Sequence, residues 1–316
     1  MPLTFQIGEG VAGWVAKTGQ PRIIENIQRD SRYKQRPGCL DREETLLAVP
    51  LILDDRVVGV LNVDRELKYG VFSLEEERIL MSLASAAASA LERARHIEDL
   101  RTLHLETLEA FAQAVDTKDA YTHGHSRRVS FMAMQVARML RLPDEEIDII
   151  ERAALLHDIG KIGISNAILF KTGKLTDEEY VIMKEHAIFG ENIIKPIKHM
   201  ATEAGIIRHH HEHWDGGGYP DGLKGEGIPI GAAIIGVCDA YDTMTSDRPY
   251  RRSLGRDFAL AELQRCSGSQ FNPMVVGAFS MVASRHDFAN EVGRLSLAAA
   301  TDGLESDDAP TVVLPG

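Results

Sequence analysis

The sequence has little that would suit it to an oxidising compartment. Its 316 residues include only three cysteines, Cys39, Cys238 and Cys266, and they show no CxxC spacing. That excludes a disulfide framework and fits a reducing compartment. Positive charge is also short: 35 Lys and Arg face 47 Asp and Glu, for a formal net charge of −12. Polymeric nucleic acid and anionic membranes are therefore poor partners, although a local Arg/Lys cluster or a metal can still hold a small anion. Long hydrophobic runs are missing too. The candidates, residues 46–53 and 228–238, are too short to span a bilayer. Met1-Pro2-Leu3-Thr4 lacks a charged segment followed by a long apolar one, so no signal peptide is read there. The expected location is the cytoplasm, with no membrane partner. What is present is ordinary globular composition, 44% hydrophobic and 26% charged, with a length that suggests two domains.

Residues 5 to about 72 read as a small α/β region. Ile7-Gly8-Glu9-Gly10-Val11-Ala12-Gly13-Trp14-Val15-Ala16 gives a glycine-punctuated turn into a short helix. Residues 46–53 and 57–63 are strand-like, with a hairpin turn at Asp54-Asp55-Arg56 and a loop at Pro37-Gly38. The stretches Gly8-Glu9-Gly10-Val11-Ala12-Gly13-Trp14-Val15, Leu47-Ala48-Val49-Pro50-Leu51 and Val58-Gly59-Val60-Leu61-Asn62-Val63 resemble the GAF family of small-molecule sensor domains, over roughly residues 5–93. The likeness is to the later part of such a domain, whose opening helix and first strands would lie before Met1. The expectation is a partial GAF-like domain over residues 1–93, in a chain that is either a fragment of a longer product or carries an incomplete domain.

Ser73 reads as a helix N-cap, with Glu75, Glu76 and Glu77 in the first turn. From there to Val115 nothing breaks a helix, taken as a connector over residues 74–115. Leu80, Leu83, Ala87, Ala90, Ala94 and Ile97, then Leu108, Phe111 and Val115, share one seven-residue register interrupted by Arg101 and His104. Such a stripe suits a two-helix seam, and the plainer alternative is a single helix packed on its own domain. The expectation is a connector, possibly a coiled coil, that also makes a homodimer. Residues 116–285 read as mostly helical and residues 286–316, with their acidic Pro/Gly-containing end, as disordered.

Four separated stretches offer metal-type ligands. A strongly apolar helical run, Ile147, Ile149, Ile150, Ala153, Ala154, Leu155 and Leu156, leads into His157-Asp158-Ile159-Gly160-Lys161. An imidazole and a carboxylate at the end of a buried helix are costly unless something compensates them, and a cation does so. His186 lies in a helical region with a good cap at Thr176-Asp177-Glu178-Glu179. His209-His210-His211-Glu212-His213-Trp214-Asp215 precedes a glycine-rich loop, and Asp239 and Asp242 share one helical face. Several His with Asp and no Cys suit Fe, Mn, Zn or another first-row divalent ion. A carboxylate such as Asp158 can bridge two ions about 3.5–4 Å apart, an arrangement suited to phosphodiester hydrolysis.

His157-Asp158 with Lys161, together with Gly218-Tyr219-Pro220 after His210-His211-Glu212 and Asp215-Gly216, resemble the HD-GYP family of cyclic di-GMP phosphodiesterases within the HD superfamily. The likeness runs from about Asp116 to Pro273 and includes Ile162-Gly163-Ile164, Met183-Lys184-Glu185-His186, Leu223-Lys224-Gly225-Glu226, Val237-Cys238-Asp239-Ala240-Tyr241-Asp242 and Ser246-Asp247-Arg248-Pro249-Tyr250-Arg251. It implies an all-α HD-GYP domain over residues 116–285. The implied metal ligands are His157, Asp158, His186, His210, His211 and Asp239, with Asp158 bridging and His125 as a further ligand. Some members hold a third metal through a Glu one turn before that His; Tyr121 stands there, so two ions, Fe or Mn, are expected rather than three. His209 and His213 are expected to face solvent or to support the ligands.

The implied reaction is in-line attack of water on a phosphodiester of cyclic di-GMP, giving the linear dinucleotide pGpG and perhaps GMP. Lys161 would then stabilise charge on the non-bridging oxygens, Arg248 and Arg251 would clamp the second phosphate, and Gly218, Tyr219 and Pro220 would form a loop against substrate. Asp242 would orient a ligand or accept a proton. Ser165-Asn166 and Asn272 depart from the residues usual in the family, but remove no ligand. The competing readings are a binding or scaffold protein with vestigial catalysis and a phosphohydrolase of another cyclic dinucleotide.

Overall fold

The computed structural model describes residues 6–31, 43–118, 124–171, 173–247 and 252–302, and for 296–302 the backbone alone. Pro37-Gly38, Tyr121, Arg248 and Arg251 lie outside the described residues. The chain divides into two compact units, Met1–Leu103 and His104–Gly316.

In the first unit, α1 (Gly10–Thr18) precedes a three-stranded antiparallel sheet ordered β1 (Arg22–Ile24), β2 (Glu44–Leu53), β3 (Arg56–Glu66). The β2–β3 turn consists of Asp54 and Asp55, with φ of 44° and 62°. This left-handed pair matches the twist of a two-residue hairpin, and Asp tolerates it better than most side chains. Strand β2 is apolar on both faces because both are covered. Leu46 and Ala48 pack with Val11 and Val15 of α1, while Leu47 and Val49 pack with Ala84 of α2 (Leu74–Lys118).

Helix α2 starts at a capping box. The Ser73 backbone N–H donates to Glu76 Oε2 at 2.7 Å, and the Glu76 N–H donates back to Ser73 Oγ at 3.2 Å. Arg65 grips the same carboxylate through both terminal nitrogens. The helix runs to Lys118, past the expected end, and the division between the units falls within it. The expected stripe does not form one packed face. Ala84 and Ala88 are buried in the first unit and Leu108 and Val115 in the second, whereas Leu83, Leu91, Ile97, Leu100, Leu103 and Phe111 are exposed.

The second unit continues with α3 (His125–Met139), α4 (Asp144–Leu156), α5 (Asn166–Leu169), α6 (Asp177–Lys184), α7 (His186–Ile194), α8 (Ala201–His209), α9 (Ile230–Thr245), α10 (Arg256–Arg265), α11 (Pro273–Ala283) and α12 (Phe288–Asp302). Helix α3 is central, packed by α4, α9, α11 and α12. Its buried residues Val129, Met132, Ala133, Val136 and Ala137 recur at the helical interval. The disordered tail expected from residue 286 is corrected in its first part. Helix α12 occupies Phe288–Asp302, and Phe288 is buried against Tyr241 and Phe279; residues 303–316 lie outside the described residues. Burial of one aromatic ring at its start gives α12 an attachment that the acidic, Pro/Gly-containing sequence beyond it conceals. A small α/β part followed in sequence by an all-helical part is therefore the architecture. Among the described residues no helix is long and apolar enough to cross a membrane.

Candidate metal centre

Each site histidine sits where a helix begins or ends. His125 opens α3 after Gly124, whose φ is 71°; His157 and Asp158 follow α4; His186 opens α7; His210 and His211 follow α8; Asp239 and Asp242 lie inside α9. Helix ends leave unpaired carbonyls, and three of these histidines use them. Nδ1 of His157 contacts the Ala154 carbonyl oxygen at 2.7 Å, Nδ1 of His186 the Met183 oxygen at 2.7 Å, and Nδ1 of His210 the Ile207 oxygen at 2.6 Å. A carbonyl can only accept, so each Nδ1 carries the proton and each Nε2 presents a bare lone pair. That is the tautomer of a metal-binding imidazole held by a backbone carbonyl.

The side chains converge into two groups: His125, His157 and Asp239 in one, and His186, His210 and His211 in the other, with the ligand-type atoms of each group within 4.8 Å of one another. Asp158 stands between them. Its Oδ1 lies 3.6 Å from His186 Nε2, while Oδ2 lies 3.5 Å from His157 Nε2 and 4.0 Å from His125 Nε2. Burial opposes ionisation of Asp158, yet Lys161, His157, His186 and His125 hold its carboxyl well below the usual carboxylate range. In the second group burial and the neighbouring imidazoles push His210 well down and His211 to about 3, and burial lowers His186 as well, so all three stay neutral donors.

These residues fit a divalent cation on two counts. Among the described residues His157 Nε2 is buried with no hydrogen-bond partner, a cost that coordination would remove. The donors are imidazole nitrogens and carboxylate oxygens, the set preferred by first-row divalent ions.

The supporting residues are less visible in the sequence. Asp242 is buried behind His125, contacting its Nδ1 at 2.7 Å and accepting from Arg128 Nε at 2.6 Å and Nη2 at 2.9 Å. Burial opposes its charge, but Arg128 and His125 bring its pKa down to about 2. Burial likewise opposes a charge on His125, and Asp239 and Asp242 overcome it, pushing that pKa up to about 10. Of the two roles expected of Asp242, orienting a ligand or accepting a proton, these contacts with His125 and Arg128 suit the first. The signal that could have found Arg128 is its position three residues after His125, on the same helical face.

Lys161 Nζ donates to Asp158 Oδ2 at 2.7 Å from the 3₁₀ turn Ile159–Gly163. Gly160 in that turn touches α7 through main chain: a Cβ there would lie 1.8 Å from the His186 oxygen and 2.5 Å from the Gly190 nitrogen. Gly218 is as restricted, since its Cβ would meet His213 N at 2.2 Å. Tyr219 places its ring 4.9 Å from that of His211, and a cis peptide joins it to Pro220. The loop is held by Glu212, a buried carboxylate that accepts from the backbone N–H groups of Asp221, Gly222 and Leu223. The sequence showed Glu212 only as one member of a His-rich cluster. His209 bonds the Gly205 oxygen and Asp221, away from both donor groups, and Asp221 is also paired with Arg208. His213 is half-buried and lines a cleft with Trp214, Phe271 and Asn272.

Fold and site together define a protein with a small α/β part and a helical part that holds a buried His/Asp centre of metal-binding type. A family model described as HD domain matches residues 109–275, over half of the chain, and one described as GAF domain matches residues 2–92. The chain belongs to the HD domain family. A curated cyclic di-GMP phosphodiesterase response regulator of Xanthomonas campestris pv. campestris is 37% identical over 235 residues, covering 71% of this chain and 62% of that protein. A cyclic di-GMP phosphodiesterase of Thermotoga maritima is 40% identical over 178 residues, 55% of this chain and 48% of that one. The chain thus spans less than two thirds of the length of either relative. The solved structure of a cyclic GMP-AMP specific phosphodiesterase of V. cholerae shares the fold, with a TM-score of 0.51 at 20% identity, over 62% of this chain and 53% of that one.

Proposed function

We propose that this chain is a metal-dependent phosphodiesterase that opens cyclic di-GMP to pGpG. The observation that carries this reading is Asp158, which turns one carboxylate oxygen toward each of two His-rich donor groups. Two divalent transition-metal ions, Fe or Mn, would be held by His125, His157, Asp158, His186, His210, His211 and Asp239, supplying Lewis acidity and activated water at the phosphorus. Lys161, 2.7 Å from Asp158, donates to the non-bridging oxygens as charge develops on them. Asp242 and Arg128 keep the His125 ring in position. Gly218 lets the loop come close, and Tyr219 beside His211 gives a base or sugar a flat surface. Arg248 and Arg251 grip the second phosphate.

The domain assignment that goes with this reading is a GAF-like sensor over residues 1–93, a connector over 74–115 and the catalytic part over 116–285. The exposed row on α2 pairs with a second copy to make a homodimer, and the free thiols of Cys238 and Cys266 fit a cytoplasmic setting. Product analysis on metal-loaded protein tests the reading, with cyclic di-GMP and 3′3′-cGAMP supplied separately. Linear pGpG formed faster from cyclic di-GMP is the expected result. Preference for the mixed dinucleotide would move the substrate assignment, and no turnover of either would leave a binding protein.

A further inference from the structure

The last turn of α2 reaches the centre through two side chains. Asp116 accepts from the Ser126 N–H at 3.3 Å and from Ser126 Oγ at 2.8 Å, fixing the residue next to His125. Two residues on, Lys118 Nζ donates to three carbonyl oxygens of the turn that carries Lys161: Lys161 itself at 3.1 Å, Ile162 at 2.9 Å and Ile164 at 3.1 Å. An ammonium has three N–H bonds arranged as a tripod, so three converging carbonyls use them all. On its other side the turn rests on α7 through Gly160. Its internal bonds are Lys161 N–H to the Asp158 oxygen and Ile164 N–H to the Lys161 oxygen, and Ile162 is exposed.

We propose that Lys118 is a positioning residue for Lys161, holding the 159–164 turn so that the Lys161 ammonium stays against Asp158 and the reacting phosphate. The inference rests on the phosphodiesterase reading for its kinetic part and on geometry alone for the rest. Lys118 touches neither substrate nor metal ligand; it acts through the backbone of the residue that does. Its place at the end of α2 makes the end of that helix part of the catalytic apparatus, because a shift there moves Lys161 first and leaves the histidines held by their own carbonyls.

The test compares Lys118→Met, Lys118→Arg, Lys161→Ala and the double variant Lys118→Met/Lys161→Ala, in the full chain. Lys118→Met keeps the aliphatic stem and loses the tripod. We expect unchanged metal content, a kcat about tenfold lower with KM within twofold, as a small misplacement of a charge-stabilising group produces, and faster amide hydrogen exchange across 159–164 with exchange across 203–211 unaltered. Lys118→Arg should restore little, because a planar fork cannot meet three converging carbonyls. In the Lys161→Ala background the second substitution should cost nothing further.

Full rescue by Arg, additive losses in the double variant, metal loss in Lys118→Met, or unchanged exchange across 159–164 would each overturn the proposal. Exchange is read without substrate, so it decides the placement of Lys118 separately. Failure of wild-type protein to hydrolyse either cyclic dinucleotide or bis(p-nitrophenyl) phosphate would instead defeat the hydrolase reading.

Discussion

Glu212→Gln isolates one carboxylate while preserving its shape. Glu212 Oε1 accepts from Asp221 N at 2.7 Å and Gly222 N at 3.0 Å, and Oε2 accepts from Leu223 N at 3.0 Å. Glutamine has a single acceptor oxygen, and its NH₂ group must then face at least one of these N–H groups, donor against donor. With the oxygen turned to Asp221 and Gly222, Leu223 loses its partner. Losing one hydrogen bond to a charged acceptor costs roughly 1.5–3 kcal/mol. A value of about 2 kcal/mol corresponds to roughly thirtyfold faster local opening. Native-state hydrogen exchange on the 216–223 segment measures this directly. Whole-chain denaturation would not, because two units need not unfold together. On the proposed reading KM should also rise, with metal content and kcat near wild type, since Tyr219 belongs to the loop that Glu212 secures. Exchange at Leu223 within twofold of wild type would refute the reasoning.

Other outcomes follow from the same geometry. Asp158→Ala removes the carboxylate shared by both donor groups, so metal analysis after anaerobic reconstitution with Fe or Mn should fall from two ions per chain to under one, with turnover lost; two ions retained would show that Asp158 does not bridge. Lys161→Ala should keep its metals and lose about 10²–10³ in kcat with little change in KM, and a near-normal kcat would remove that lysine from the chemistry. Leu83→Glu places a charge in the exposed row of α2 and should convert a dimer to a monomer in light scattering; a monomeric wild type would show that the row serves no self-association.

The features legible in the sequence were those with local signatures. The Ser73 and Thr176 caps need only a few neighbouring residues to be read, and both form capping boxes. The β2–β3 hairpin was legible for the same reason. The histidine stretches could be read as metal-type because so many polar donors at apolar helix ends are costly to bury without a cation to share. Longer-range facts were hidden. A seven-residue register says that one face of α2 is apolar, but it does not say that Ala84, one position along from Leu83, meets the sheet. Nothing in the segment of Asp242 shows that Arg128, 114 residues earlier, bonds it. Glu212, Asp116 and Lys118 act on backbone groups, and backbone groups leave no letter in a sequence.

Gly160 has a consequence for how this centre tolerates change. Where its turn meets α7, main chain rests on main chain, so the interval between the His157-Asp158 segment and His186 is gauged by the thickness of the polypeptide itself. A spacing set by leucines or valines would drift with each methylene gained or lost in the interior. One set by two backbones acts as a fixed shim, and the surrounding interior is free to exchange its residues while the donors keep their separation. The same contact concentrates the risk, since even alanine at position 160 would prise the turn from the helix and separate the two halves of the centre.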